Sequence, residues 1–498
     1  MATEAEILAA RRRRARELLA RKVELYPARV PRPLQQIGEV LAQHGDKDEA
    51  TLEREAPGTT VAGRLVGVRS FGRAAFATLQ GDGARLQIWL KRDQVGDERY
   101  AEFRLYETGD FMWARGPLCR TKKGELSVDV TEFGFLSKAY RPLPDKWAGL
   151  HDVETRYRQR YLDLLTNPRS REIAVVRSRI VSTIRSQLDE CGFLEVETPI
   201  LQPIYGGANA RPFTTRHHAY GQDLYLRISF ELYLKRLIIG GLDRVYEIGR
   251  DFRNEGVSRK HSPEFSMLEV YQAYADYRDM MDLMETLVAE TAARVLGTTR
   301  LEREGQPIEL VPPWPKRSMT ELIEEHTGVN IELAADLESL RAAISEAEVP
   351  GLEPGEAPSW AVLVDELFSA RVEPKLFAPC FVVDYPLDLS PLAKRSGENP
   401  QLVERFEAFI GGMEISNAFS ELNDPDDQRE RFLAQAEASR RGDEEAQPID
   451  EEFLRALEHG MPPTAGMGLG IGRLTMILTG ATHLREVKIF PHLRPRDD

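Results

Sequence analysis

The chain has 498 residues, 42% apolar and 29% charged, with 37 Gly, 30 Pro and only three Cys. That length predicts two or three domains, and that composition excludes a disordered chain, a collagen-like repeat and a disulfide scaffold. The net charge of −14 is unevenly placed: residues 1–140 hold 24 Lys and Arg against 20 Asp and Glu, and the remainder 42 against 60. A mildly basic front on an acidic body suits two modules with different partners, or simple variation along a surface. Cys119, Cys191 and Cys380 form no CxxC pair, which points to a reducing compartment and against structural zinc. No apolar run approaches the ~18–20 residues that span a bilayer. The opening stretch mixes Glu4, Glu6 and Glu17 with its arginines, unlike a secretory or transit peptide, so a cytoplasmic protein is expected.

Thr3 with Glu6 reads as a capping box opening a helix to about Lys22. Arg11, Arg12, Arg13, Arg14 and Arg16 cover much of its circumference, giving either a solvated basic helix or a phosphate-contacting arm. From about Thr60 the hydrophobic period changes to two. VAGRLVGV, AAFATLQ, ARLQIWL, DFMWARGPL and LSVDVTEFGFL read as five short strands separated by glycine turns. Five strands in a basic segment predict a small closed barrel of the OB type, with a β-sandwich fragment as the competitor. The expected domains are 1–55, a basic helix and extension; 56–140, the barrel; 141–170, a linker; and 171–498, a larger α+β body with a helical insertion at about 295–370. That body opens with a helix from Ser170 to Glu190, apolar at Val176, Ile180, Ile184 and Leu188, and FLEVETPIL continues as a strand stopped at Pro199.

Three later stretches carry chemistry. In VYEIGRDFRNEGVSRKHSPEFSMLEVY, strands at about 245–253 and 264–271 flank a charged loop; alternation puts Phe265, Met267, Glu269 and Tyr271 on one face, and Asp251 with Arg253 on a face of the other strand. Unpaired charge is costly in a core, so this hairpin reads either as a site for an anion bearing an amine or as an ion-paired solvent face. In TAGMGLGIGRLTMILT, glycines alternate at 466, 468, 470 and 472. This is not a dinucleotide fingerprint, because Ile471 stands where GxGxxG needs its third glycine. Alternating strand glycines admit a flat ligand against the backbone, and Arg473 at the following helix start suits polyphosphate. No P-loop occurs. In RFEAFIGGMEISNAFSELND, Gly411 and Gly412 turn the chain back and bring Glu407 towards Glu414; two carboxylates beside polyphosphate suit Mg²⁺, and solvated acids on a hairpin are the alternative.

Together with RPLPDKW, ETRYRQRYLDL, GGANARPF, ELYLKRL, SPLAK and FSELND, these strings resemble class II lysyl-tRNA synthetases of the bacterial type, over nearly the whole chain beyond the first 50 residues and apart from 295–370. The resemblance implies an N-terminal OB-fold barrel that binds the anticodon, then a catalytic domain on an antiparallel sheet flanked by helices. It implies a homodimer using ATP, L-lysine, a lysine tRNA and Mg²⁺, with no membrane or DNA partner. Arg253 and Arg473 are the implied catalytic residues; Arg253, Glu255, His261, Phe265 and Arg473 the implied ATP contacts; Glu407 and Glu414 the metal ligands. Gly207, Glu231, Glu269, Tyr271, Asn417, Phe419 and Glu421 are implied to hold lysine, and Phe76 and Gln87 to meet the anticodon. Gly472, Phe230 and Val68 depart from the common family pattern, at positions that could tune the pocket or the anticodon contacts. Aspartyl- and asparaginyl-tRNA synthetases share this plan, but an acidic pocket reading a cation disfavours both. A non-catalytic tRNA binder is disfavoured by the presence of Arg253, Arg473, Glu407 and Glu414, and a ligase that lysylates a protein by the expected barrel.

Overall fold

A computed structural model describes residues 3–144, 150–349, 352, 355, 357, 359–440 and 447–495. The end of RPLPDKW and parts of the expected insertion fall outside the described residues. The chain divides into two units, 1–168 and 169–498.

In the first unit, Thr3 and Glu6 close the capping box of the helix Glu4–Ala20. That helix is not uniformly solvated. Ala15 and Leu18 are buried among the apolar residues of the strands, and Arg11 donates to the carbonyls of Ala139 (2.8 Å), Thr108 (3.0 Å) and Arg141 (3.3 Å). Arg11 therefore ties the helix to the loops that flank the strands instead of presenting charge.

Six strands follow: β1 (Gly58–Phe71), β2 (Ala74–Gly81), β3 (Ala84–Lys91), β4 (Phe111–Arg120), β5 (Leu126–Val130) and β6 (Glu132–Ser137). The fifth expected strand is two, broken at Thr131. Long β1 pairs with β2 over one half and with β4 over the other, and the order β1-β2-β3-β5-β4 returns to β1, so the strands form a ring. A bulge between Leu65 and Gly67 lets β1 serve both neighbours. At Gly116 any side chain would collide with the Asp129 carbonyl, so glycine permits the close pass of β4 over β5. Period-two alternation sends Ala75, Ala77 and Leu79 inward with Ile88 and Leu90, and leaves Phe76, Thr78, Gln87 and Trp89 on the outer face.

The second unit is built on an eight-stranded sheet. In chain order its strands are β7 (Leu194–Glu195), β8 (Leu201–Gln202), β9 (Thr214–His217), β10 (Gln222–Leu226), β11 (Arg244–Phe252), β12 (Glu264–Ala273), β13 (Arg300–Arg303), β14 (Gln306–Glu309), β15 (Lys316–Ser318), β16 (Cys380–Pro386), β17 (Leu402–Phe409), β18 (Glu414–Ser420) and β19 (Thr464–Gly470). The main sheet runs β15-β16-β17-β18-β19-β12-β11-β7, antiparallel except at its two ends. Helices Pro168–Glu190, Tyr277–Leu296 and Ile471–Thr479 share one apolar core with its strands, the first through Ile173, Val176, Ile180, Ile184 and Leu188. The insertion is not wholly helical. It opens with the hairpin β13–β14 and lends β15 to the sheet before its helices Met319–Thr327, Leu337–Glu346 and Trp360–Arg371 share a second core with β16 and β17. Among the described residues no helix is long and apolar enough to cross a membrane.

Candidate active site

The second unit contains a cavity of about 340 Å³ on the sheet. Its floor follows from strand register. On β12, Phe265, Met267, Glu269 and Tyr271 all face the cavity, as alternation predicts. The last three lie opposite Gly470, Gly468 and Gly466 of β19. The glycines have a role that the bare pattern did not show: a Cβ at Gly466 would strike Tyr271 and Glu421, and one at Gly468 would stand 2.9 Å from Met267. At these two positions the freed space holds protein side chains. Only at Gly470, whose nearest neighbours would be 3.7 Å away, is the approach to the backbone unobstructed.

One end of the cavity is cationic. Arg253 lies with its guanidinium 5.1 Å from the Phe265 ring centre, and its Nε donates to the Ile228 carbonyl at 3.3 Å. Arg473 donates through Nη1 to both the carbonyl (2.8 Å) and the carboxylate (2.9 Å) of Glu414. Burial alone would raise the Glu414 carboxyl; the guanidinium groups of Arg473, Arg405 and Arg253 together outweigh it and hold the group below its usual range. Glu407 lies on the neighbouring strand, does not line the cavity, and accepts from Arg405 at 2.5 Å. Burial and repulsion from Glu414 push it up to about 7 against the pull of Arg405. Such a repelling carboxylate pair beside arginines fits a divalent cation that also takes phosphate oxygens. Among the described residues no third acid, His or Cys joins them as a ready-made metal cluster. Glu255 and His261 line the same end. Burial, then Arg473 and Lys260, lower His261 to about 4, so its ring is neutral at physiological pH. Lys260 pairs with Glu373 at 2.5 Å.

The other end is acidic. Glu269 accepts from Ser229 (2.9 Å), the Phe230 amide (3.3 Å) and Tyr271 (3.2 Å), and burial with the charges of Asp251 and Glu231 pushes it up to about 8. Glu231 begins the helix Glu231–Ile239, where its charge meets the positive end of the helix dipole. Gly207, at φ +88°, lies against Ser229 and Glu231 and donates its amide to Gln447 at 2.8 Å. Asn417 and Phe419 line the cavity from β18. Glu421, on the same alternating face, does not: only 2% exposed, it is ion-paired with Lys235.

All the candidate residues of the second unit except Glu407 and Glu421 thus line one cavity. Phe76 and Gln87 are in the first unit. Four contributors carried no role in the sequence: Lys235, Arg405, Lys260 and Gln447. Arg405 shares the strand face of Glu407 two residues on, and that spacing was the available signal. Lys235 stands one helical turn after Glu231, a spacing that could have exposed the pair. For Gln447, 238 residues from its partner Asn209, no local signal existed.

Residues 152–494 match the family described as tRNA synthetases class II (D, K and N), and the chain belongs to that family. Within it, the chain is 51% identical over 495 residues to the lysine–tRNA ligase of Chloroflexus aurantiacus, covering 99% of both chains. It is 51% identical over 450 residues to that of Moorella thermoacetica (90% and 91% covered), and 52% over 485 residues to that of Roseiflexus castenholzii (96% and 97% covered).

Proposed function

We propose that the chain is a lysine–tRNA ligase, which joins L-lysine to the 3′-terminal adenosine of a lysine tRNA at the cost of ATP. The observation that carries this reading is the polarity of the cavity: Arg253 and Arg473 at one end, and buried Glu231 and Glu269 at the other with Glu421 behind them. An amino acid with a second ammonium fits the acidic end, and a polyphosphate the cationic end. The side-chain carboxylate of aspartate would meet repulsion there, and neutral asparagine would leave buried charge unpaired.

In the first step a lysine carboxylate oxygen attacks the α-phosphorus of ATP, the bond to the β-phosphate oxygen breaks, and pyrophosphate leaves. The attacking group is already ionised, so no general base is needed. Positioning and charge neutralisation carry the step, supplied by Arg253 at the carboxylate and α-phosphate and by Arg473 at the far phosphates. Phe265 stacks the adenine against Arg473, and Glu255 and neutral His261 contact the nucleotide. Glu231 and Gly207 hold the α-amine, while Glu269, Tyr271, Asn417, Phe419 and Glu421 hold the side chain. Glu407 and Glu414 would hold Mg²⁺, which neutralises charge on the phosphates when bound. In the second step a hydroxyl of the terminal adenosine attacks the acyl carbon, the bond from that carbon to the phosphate oxygen breaks, and AMP departs as the hydroxyl proton is released.

The ring of strands in the first unit is read as an OB-fold that takes the anticodon through Phe76 and Gln87. A homodimer in the cytoplasm completes the reading. The test is ATP–pyrophosphate exchange with each of the twenty amino acids. Exchange with lysine and none with aspartate or asparagine is expected; exchange led by another amino acid would overturn the assignment.

A further inference from the structure

Lys235 is a charged group that the mechanism above leaves without work. Its side chain is completely buried, and its ammonium lies between two carboxylates from different elements, Glu231 on its own helix at 2.5 Å and Glu421 just past β18. The rings of Phe419 and Phe453 lie 5.6 and 6.0 Å from it. Burial disfavours its charge, but Glu231 and Glu421 outweigh burial and hold it protonated. Beyond the pair, Glu269 and Tyr271 on β12 act on both carboxylates, and Asp251 acts on Glu269.

We propose that Lys235 is a specificity-determining positioning residue that fixes the charge of the amino-acid pocket, making it a receptor for a substrate with two ammonium groups. The inference rests on lysine being the substrate. Three acids, Glu231, Glu269 and Glu421, converge here and one internal cation offsets them, so that once substrate binding has expelled the Glu269 proton two negative charges are left. The α- and ε-ammonium groups of lysine match two; the substrate carboxylate is left to Arg253. Lys235 also fixes direction. With Glu231 Oε1 and Glu421 Oε2 turned to it, Glu421 Oε1 points towards Gly466 and Tyr271 at the cavity floor. Without Lys235 a third charge would have to be met by a proton retained in the complex.

The test compares Lys235→Met, Glu421→Gln and the double variant with the wild type by lysine-dependent ATP–pyrophosphate exchange across pH. Glu421→Gln leaves one net negative charge for a dication, and its KM for lysine should rise at least about 30-fold, since truncating one member of a buried charge pair is costly. The double variant returns the count to two. It should therefore bind lysine at least about tenfold better than Glu421→Gln alone, a reversal that charge counting demands and loss of packing cannot produce. It also replaces the whole buried pair by neutral groups, which keeps the test available if Lys235→Met fails to fold. Where Lys235→Met folds, its KM relative to wild type should grow with pH, by up to about tenfold per unit, over the range in which the free pocket of the variant has lost the extra proton that its complex must keep. A double variant no better than Glu421→Gln alone, or a ratio that stays flat up to the highest pH at which Lys235→Met remains folded, would overturn the inference. A wild type that does not respond to lysine would instead overturn the assigned substrate.

Discussion

At the scale of single residues, the site works by setting buried charges against one another. Glu269, raised to about 8 by burial, Asp251 and Glu231, carries a proton below that pH when the pocket is free. An arriving ammonium favours the ionised carboxylate, so binding expels that proton. The KM for lysine should therefore fall as pH rises from about 6 to 8, by at most about tenfold per unit, and then level. Glu269→Gln should flatten this limb. Initial-rate exchange at fixed saturating ATP measures both, and a KM independent of pH below about 8 would contradict the coupling. The phosphate end makes a different prediction. Glu407, pushed up to about 7 beside Glu414, is costly to keep ionised unless a cation joins the pair. Either Ala substitution should impair adenylate formation, and the double variant should be little worse than the poorer single, as for groups serving one assembly. Fully additive losses, with unchanged dependence on Mg²⁺ concentration, would assign the two acids to separate structural tasks.

At the scale of elements, β12 and β19 form one device, in which large side chains on one strand are accommodated by glycines on the next. Gly466→Ala should drive a methyl group into Tyr271 and Glu421 and lower lysine activation by about 5- to 150-fold, since overpacking costs about 1–3 kcal/mol. Gly470→Ala meets only ordinary contacts, so it should spare the lysine KM and affect ATP instead. Equal effects at the two positions would mean that the glycines serve the strand backbone generally. This pairing shows how far the sequence was legible. Period-two alternation was enough to put Phe265, Met267, Glu269 and Tyr271 on one face, and helical spacing to find the buried stripe of Pro168–Glu190. The partner across the sheet was not readable, because β12 and β19 are separated by about 190 residues of chain and register is a long-range property. For the same reason alternation put Glu421 on the face of Asn417 and Phe419 but could not reveal Lys235 beside it. The insertion misled for a local reason: the short strands β13, β14 and β15 are too brief to show a period against the longer helices around them.

At the scale of the whole molecule, the mildly basic front and acidic body correspond to two units with separate cores and different chemistry. Among the described residues the carboxylates and arginines of the proposed adenylation site all belong to the second unit, whereas the first presents an aromatic face. There Phe76 stacks on Trp89 at 5.4 Å with planes 16° apart, Phe71 meets Phe76 edge-on at 6.3 Å, and Lys91 lies 3.7 Å above the Trp89 ring. Gln87, on the same strand as Trp89, donates to Glu125 at 2.6 Å and accepts from Ser127 at 2.8 Å, so its amide orientation is set. An aromatic–cation surface of this kind suits unpaired bases. Because Phe76 is half-buried on the outer face, truncating it should cost about the 0.5–1.5 kcal/mol of a stacked pair, well short of the ~3–5 kcal/mol of a core phenylalanine. Base–aromatic stacking is worth about 1–3 kcal/mol, so Phe76→Ala should lower the efficiency of tRNA charging by about 5- to 150-fold. Lysine-dependent ATP–pyrophosphate exchange, which needs only the second unit's chemistry, should stay near wild type. Exchange, charging and thermal melting measured on one preparation separate the outcomes. A large fall in melting temperature, or equal losses in both activities, would mean that Phe76 supports the fold and that the tRNA is gripped elsewhere.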